Sequence, residues 1–198
     1  MAETQTGKSS IKKLLNLSDR ESAEFPVAAL PLLGLAVALL HSKLSYSLGL
    51  PGHHGLELMT ALIFARLTSS RHWAGIILIT GTIGGDLALA NDFLHSLKHA
   101  PFYLLTGFLV DVLYMAFGSQ SRRLLSAAAI GAAAHVSKPL ILIILAAFID
   151  IKFGFFRHGV VFPLVTHSAF AAVGAICGAL LARAWLNKTT AGHKNTPS

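Results

Sequence analysis

Long apolar runs alternate with short polar segments along almost the whole chain. Six apolar runs lie near residues 25–47, 53–69, 73–91, 101–118, 124–149 and 159–186. A helix that crosses a bilayer needs about 20 mostly apolar residues, and most of these runs approach or exceed that length. The pattern therefore predicts an all-α polytopic membrane protein, a bundle of about six transmembrane helices. The second and fourth runs are short and more polar, so we expect them to be tilted, re-entrant or shielded by neighbouring helices.

Polar segments flank the predicted bundle at both ends of the chain. Residues 1–24 form a tail of mixed charge, and its amphipathic patch at 11–17 fits an interfacial helix, a partner-docking segment or a solvated tail. A cleavable signal peptide fits poorly, because acidic residues precede the first apolar run. Residues 187–198 are polar and are predicted to be a disordered tail. The predicted division is thus a tail over 1–24, a transmembrane domain over 25–186 and a second tail over 187–198.

Composition agrees with a membrane protein and excludes several other classes. Apolar residues make up 54% of the 198 positions and charged residues only 13%, whereas soluble domains carry about 25% charged residues. Disorder, a coiled coil and a disulfide scaffold do not fit these proportions. Cys177 is the single cysteine of the sequence, which excludes an internal disulfide and a zinc site built from cysteines.

The distribution of basic residues predicts the orientation of the bundle. If the N-terminus is inside, the inner segments carry eleven Lys and Arg residues and the outer loops carry four. Cytoplasmic loops of membrane proteins carry such an excess, so both termini are predicted to be cytoplasmic in the cell membrane of a bacterium or archaeon. The formal net charge of +7 is then explained by topology, and no nucleic-acid partner is expected.

The densest polar group of the sequence lies at the predicted outer start of the second run. It reads Pro51-Gly52-His53-His54-Gly55-Leu56-Glu57. Pro and Gly break the chain just before a helix, so free backbone N–H groups and the positive end of the helix dipole would face outward. On a helix, both histidines can share a face with Glu57. Such groups bind a metal ion or a polar ligand; the alternative is a helix cap in which Glu57 pairs with a basic group.

Polar residues of other runs fall at a similar depth. Asp86, Lys138 and His167 lie in the outer halves of the third, fifth and sixth runs, and Tyr103 or Thr106 of the fourth can join them. His135 can share a face with Lys138, but deeper. We therefore expect one outer cavity. Its predicted substrate-binding residues are His53, His54, Glu57, Asp86, Lys138 and His167. The structural alternative is an ion pair of Lys138 with Asp86 or Glu57 that only offsets the cost of burying both charges.

Asp111 lies deeper in the fourth run and needs a partner on another helix or a bound proton. A packing or kink role is expected for it, and Arg66, Arg71, Arg122 and Arg123 are interpreted as topological anchors at the inner face. The pair His95 and His99 is expected in an outer loop. No Gly-rich phosphate loop, GxSxG or HExxH motif occurs, and no two runs carry the paired histidines of a haem site. The sequence therefore predicts no cofactor and no enzyme activity.

Small residues recur at the spacing of close helix contacts. The pairs are Gly34 and Ala38 in the first run, Gly81 and Gly85 in the third, and Gly174 and Gly178 in the sixth. Such pairs let two helix backbones approach closely in lipid. They predict either packing within the bundle or docking of a partner.

The chain resembles the substrate-binding (S) components of energy-coupling-factor vitamin transporters. The local patterns are Pro51-Gly52-His53-His54-Gly55-Leu56, which opens the second run, and Leu104-Leu105-Thr106-Gly107 with Asp111 in the fourth. The resemblance implies that a small-residue pair on the first span, here Gly34 and Ala38, docks a coupling membrane subunit. It also implies that substrate enters from outside, that the bundle topples to carry it, and that separate ATPase subunits supply the energy. The nickel- and cobalt-uptake members begin Met-His, whereas this chain begins Met1-Ala2-Glu3.

The sequence thus favours a transport subunit for a small zwitterionic or heterocyclic, vitamin-like solute. Three alternatives remain. A metal-ion permease or metal-binding protein would use His53, His54, Glu57 and His167. A structural subunit of a larger complex would need only the small-residue faces, and a small membrane enzyme would use His and Glu as acid and base. Lys138 favours the organic ligand, because an ammonium group repels a metal cation.

Overall fold

The computed structural model of the chain describes residues 24–48, 51–90, 93–117, 123–149 and 159–194. These ranges hold helices and turns and contain no strand. The helices are α1 (Ala29–Leu48), α2 (His54–Thr68), α3 (Ala74–Leu89), α4 (Phe93–Phe117), α5 (Leu124–Ile149) and α6 (Val161–Lys194). The predicted all-α class is confirmed for this part of the chain.

Two helix boundaries differ clearly from the expectation. Helix α4 begins at Phe93, not near residue 101, so Pro101 lies inside the helix. A proline there removes one backbone hydrogen bond, but the apolar side chains of Phe93 and Leu94 continue the helical run upstream of it. Helix α6 continues to Lys194 through the first part of the predicted tail. Residues 1–23 of the predicted tail over 1–24 lie outside the described residues, as do residues 195–198.

Three helical segments are long and apolar enough to cross a membrane. They are Ser96–Phe117, Leu124–Phe148 and Val161–Thr189. Two more apolar helices, Ala29–Lys43 and Ala74–Leu89, are shorter. Helix α2 has 15 residues and is about 22 Å long at 1.5 Å per residue. The described part of the chain is therefore helical, with three helices long and apolar enough to span a membrane, and a total of six spans stays a prediction.

Helix α2 is the central helix of the bundle. It contacts each of the other five helices, and most extensively α6. The remaining helices follow one another around it in the order α1, α3, α4, α5 and α6. Ten of its 15 residues are buried, among them Glu57 and Arg66. Shielding by neighbours, which the sequence suggested for this run, explains how the shortest helix carries two charged groups away from lipid.

The glycine pairs lie where two helices touch. On α6, a Cβ atom at Gly174 would overlap the carbonyl oxygen of Leu56, and one at Gly178 would overlap that of Thr60. The Thr60 hydroxyl also donates a hydrogen bond to the Gly174 carbonyl at 3.0 Å. These contacts join α6 to α2 through backbone atoms, the close approach that small residues permit in membranes.

The same device joins α1 to α3. A side chain at Gly34 would overlap the backbone of Leu78, one at Gly81 would overlap the backbone of Pro31, and one at Gly85 would meet Ala38. Gly34 and Ala38 are both buried. This small-residue pair therefore packs inside the bundle, and a partner that docks on α1 would have to contact its other residues.

Candidate functional site

One cavity of about 600 Å³ opens at one end of the bundle. All six helices contribute to its wall. Its polar lining includes His41 and Ser42 of α1, His53 and His54 at the start of α2, Asp86 of α3, His99, Tyr103 and Thr106 of α4, His135 and Lys138 of α5, and His167 of α6. We call this end of the bundle the cavity end. The expectation that several helices aim polar groups into one cavity agrees with this arrangement.

The turn before α2 shapes the rim of the cavity. Gly52 has φ of +85°, a conformation that residues with a side chain rarely adopt, and a Cβ there would lie 2.8 Å from backbone atoms of His167. The N–H groups of Gly55 and Leu56 donate to the carbonyls of Gly52 and His53 at 2.8 and 2.9 Å. The sequence suggested free N–H groups at this helix start; at these two positions they are used within the turn itself.

Glu57 lies behind the cavity wall, held by two histidines. His41 Nδ1–H donates to Glu57 Oε1 at 2.8 Å and His54 Nδ1–H donates to the same oxygen at 3.1 Å. Only 5% of the Glu57 side chain is exposed. The two imidazole rings lie 3.9 Å apart between centroids, and each of the three residues offers a ligand atom within 4.8 Å of the others. We call His41, His54 and Glu57 the His–Glu cluster.

A second pair of histidines forms the floor of the cavity. The rings of His135 and His167 stack at 5.2 Å between centroids. His167 Nδ1–H donates to the Pro163 carbonyl at 2.8 Å. His135 is 4% exposed, and neither of its ring nitrogens has a hydrogen-bond partner in the part of the chain that the structure describes. Buried polar atoms are normally paired, so these nitrogens have capacity for a ligand or water.

Lys138 does not form the ion pair that the structural alternative required. Its Nζ donates to His99 Nδ1 at 3.3 Å and lies 5.8 Å from the centroid of the Phe102 ring. The ion pairs found among the described residues involve Glu57 and Asp111. Asp86 interacts electrostatically with Lys138 and is hydrogen-bonded to Tyr103. The ammonium group is therefore not neutralised by direct contact with a carboxylate.

The other buried carboxylate, Asp111, lies at the opposite end of the bundle. It accepts hydrogen bonds from the backbone N–H groups of Gly75 and Ile76, both at 3.0 Å. Arg66 Nε lies 3.5 Å from its Oδ1, and the guanidinium stacks over the Tyr114 ring at 4.5 Å. Asp111, on α4, thus caps the N-terminus of α3 and, through Arg66, also connects to α2. Arg66 is buried and pairs with Asp111, whereas the sequence suggested a topological anchor at the inner face.

The six predicted substrate-binding residues all gather at the cavity end. Five line the cavity, and Glu57 sits one layer behind His41 and His54. Two histidines were missed: His41, which stands directly before Ser42 and Lys43 near the end of the first apolar run, and His99, which was expected in a loop. In the structure His99 lies on α4 and contacts Lys138. The metal alternative named His53, His54, Glu57 and His167, and these four do not form one cluster in the structure. The group close enough to hold an ion is the His–Glu cluster, which contains His41 instead of His53 and His167.

No protein-family model, no curated protein and no solved structure matches the chain.

Proposed function

We infer that the protein is a membrane-embedded solute-binding subunit of a transporter. The observation that carries this proposal is the cavity of about 600 Å³ to which every helix contributes. Its volume falls in the range of small-molecule sites, about 300–1,000 Å³. A bundle that served only as a structural subunit would gain nothing from a polar cavity, since each buried polar group costs free energy unless it is paired.

The groups around the cavity favour a small organic solute with an anionic group. Lys138 and His99 present a cation and a hydrogen-bonding ring on one side, and Asp86 and Tyr103 present an acceptor and a hydroxyl. The Phe102 and Tyr103 rings add flat apolar surface. A zwitterionic or heterocyclic molecule with a carboxylate or phosphate complements this set, because charge-assisted hydrogen bonds to such groups are strong.

Transport by this subunit requires energy from other proteins. The sequence has no phosphate loop, so the proposal places ATP hydrolysis on separate subunits and includes a coupling membrane subunit, as the resemblance to S components implies. The orientation with the cavity end outside and both termini in the cytoplasm belongs to the same proposal, as does the multi-pass location in a bacterial or archaeal cell membrane. Adjacent genes for an ATPase and a coupling subunit would support it.

Binding to the purified protein tests the proposal. Small molecules that co-purify with the protein in lipid nanodiscs are identified by mass spectrometry, and a panel of carboxylate- and phosphate-bearing heterocycles is screened by thermal shift. We expect Lys138→Met to weaken binding of the resulting ligand at least about tenfold, which equals about 1.4 kcal/mol. Lys188→Met is the matched control, because Lys188 is exposed near the far end of α6. Equal affinity of Lys138→Met and the unchanged protein would contradict the proposal.

A further inference from the structure

We propose that the His–Glu cluster is a binding site for one divalent transition-metal ion. His41, His54 and Glu57 would provide two imidazole nitrogens and one carboxylate oxygen, a ligand set suited to zinc, cobalt or nickel. The site stands on its own geometry and does not depend on the proposal of an organic solute.

The spacing of the three groups already approaches that of a metal site. The Nδ1 atoms of His41 and His54 lie 2.8 and 3.1 Å from Glu57 Oε1. In a tetrahedral site with bonds of about 2.0–2.2 Å, ligand atoms lie about 3.4 Å apart. Opening the two N–O separations to that value moves the rings of His41 and His54 outward by about 0.6 and 0.3 Å, and all three ligand atoms already lie within 4.8 Å of one another.

The surroundings fix two of the ligands and leave hydrogen-bonding capacity unused. Glu57 and His54 are held on the central helix α2, three residues apart on one face. His54 Nε2 is buried and has no hydrogen-bond partner within the described ranges. An ion at the two Nδ1 positions would replace hydrogen bonds that already converge on one oxygen, and each neutral ring would then carry its proton on Nε2.

The charges near the cluster suit a cation. One carboxylate and two neutral imidazoles give the site a formal charge of −1. Asp86 interacts electrostatically with His54 and also with Lys138, so its negative charge offsets the ammonium that otherwise disfavours a metal. Lys138 itself contacts His99 and interacts with His135 and His167.

The location of the cluster leaves a coordination position open to the cavity. His41 and His54 line the cavity, and Glu57 lies behind them. Three protein ligands with the fourth position facing a water-accessible space is an arrangement that lets an ion exchange or take a ligand from solution. The site is thus placed for an ion that enters through the cavity.

Metal titration of the full chain in nanodiscs tests this site. After chelator treatment, Co²⁺ is added and its visible absorption followed, and bound Zn²⁺ is counted by elemental analysis. We expect one ion per chain. His41→Gln and Glu57→Gln should each weaken binding at least about tenfold, since even outer-shell changes at metal sites cost about 10–100-fold. His72→Gln is the matched control, because His72 is exposed and far from α2's first turn.

Folding does not obscure the result, since the His41 side chain is 23% exposed and its removal leaves the bundle core intact. Two outcomes would overturn the site: no bound ion at micromolar Co²⁺ or Zn²⁺, or binding that survives His41→Gln and Glu57→Gln and is lost in His167→Gln. Neither outcome bears on the organic solute, which is tested separately by Lys138→Met.

Discussion

The two buried carboxylates of the bundle are held in opposite ways. Asp111 is fully buried and receives two backbone hydrogen bonds at the start of α3, with Arg66 beside it. Glu57 is also buried, yet its partners are two histidines that line an open cavity. Fixed N–H groups cannot leave Asp111, whereas imidazole rings can rotate away from Glu57. A carboxylate with permanent partners stabilises the fold, and one with exchangeable partners can bind a ligand.

Among the described residues, buried side-chain atoms without a hydrogen-bond partner are more numerous near the cavity than at the Asp111 end. Near the cavity, His54 Nε2 and both ring nitrogens of His135 lack hydrogen-bond partners among the described residues. At the Asp111 end, the Arg66 guanidinium binds the Arg71 carbonyl and stacks on Tyr114, and among the described residues of that network only Arg66 Nε, 3.5 Å from Asp111 Oδ1, is buried without a hydrogen bond. Because unpaired buried polar atoms are costly, their concentration around the cavity indicates where a ligand would lower the free energy.

The largest expected effect concerns which end faces outward. A reporter fused after Ser198 should give an all-or-none cytoplasmic signal, because eleven of the sixteen Lys and Arg residues lie on the predicted inner segments. Alkaline phosphatase activity serves as the opposite readout for an external end. An external signal there would contradict the predicted orientation and would place the cavity end on the cytoplasmic side.

Removal of the Asp111 charge should cause the largest loss of stability. Asp111→Asn leaves Arg66 buried without a counter-ion and weakens the bonds to Gly75 and Ile76, so we expect a cost of about 3–5 kcal/mol. The free energy of unfolding in mixed micelles measures it. Asp86→Asn is the comparison, because Asp86 is only partly buried; we expect it to cost less than about 1 kcal/mol. Similar costs for both variants would contradict the view that Asp111 stabilises the fold more than the carboxylate at the cavity does.

A smaller effect is expected at the contact between α2 and α6. Gly174→Ala places a methyl group against the Leu56 carbonyl, and we expect a loss of about 1–3 kcal/mol from overpacking. Gly84→Ala is the matched control, since no atom lies within 4 Å of the added methyl group and Ala is the better helix former. Thermal unfolding of both variants checks the difference, and equal stability would mean that the helices separate without cost.

The smallest effect on stability is expected at the His–Glu cluster. His41→Gln removes one hydrogen bond to Glu57, so we expect a cost of about 0.5–1.5 kcal/mol alongside the loss of metal binding proposed above. The same unfolding assay measures it, with His72→Gln as the reference. A loss above about 3 kcal/mol would make Glu57 a structural carboxylate like Asp111.

The sequence predicted most of the helices because apolar runs and helices coincide where lipid and core both demand apolar side chains. It placed the start of α4 too late, since Pro101 reads as a first-turn proline and the polar residues before it read as a loop. His99 was lost from the site for that reason. Shielding was one of three alternatives that the shortness and polarity of the second run suggested, and the central position of α2 agrees with that alternative.

Which side chains pair with one another at the cavity could not be predicted from the sequence. Lys138 lines the cavity with the other polar groups, but its partner depends on how α4 and α5 are rotated toward each other, which no local pattern encodes. His41 could have been found only by testing the polar residues near the end of the first run, His41 to Lys43, as partners for Glu57. Asp111 was expected to need a partner on another helix, and Arg66 with the start of α3 provides it.

The central position of α2 has a consequence for how the protein is made. Its most extensive partner, α6, is synthesised after the other five described helices, and the Thr60–Gly174 hydrogen bond joins residues 114 positions apart. Until residues 161–194 are synthesised, α2 has one face uncovered while Glu57 and Arg66 already lie within it. Assembly of the bundle therefore waits until α6 has been made, and a chain cut short before α6 would expose to quality-control proteases the face of α2 that α6 covers.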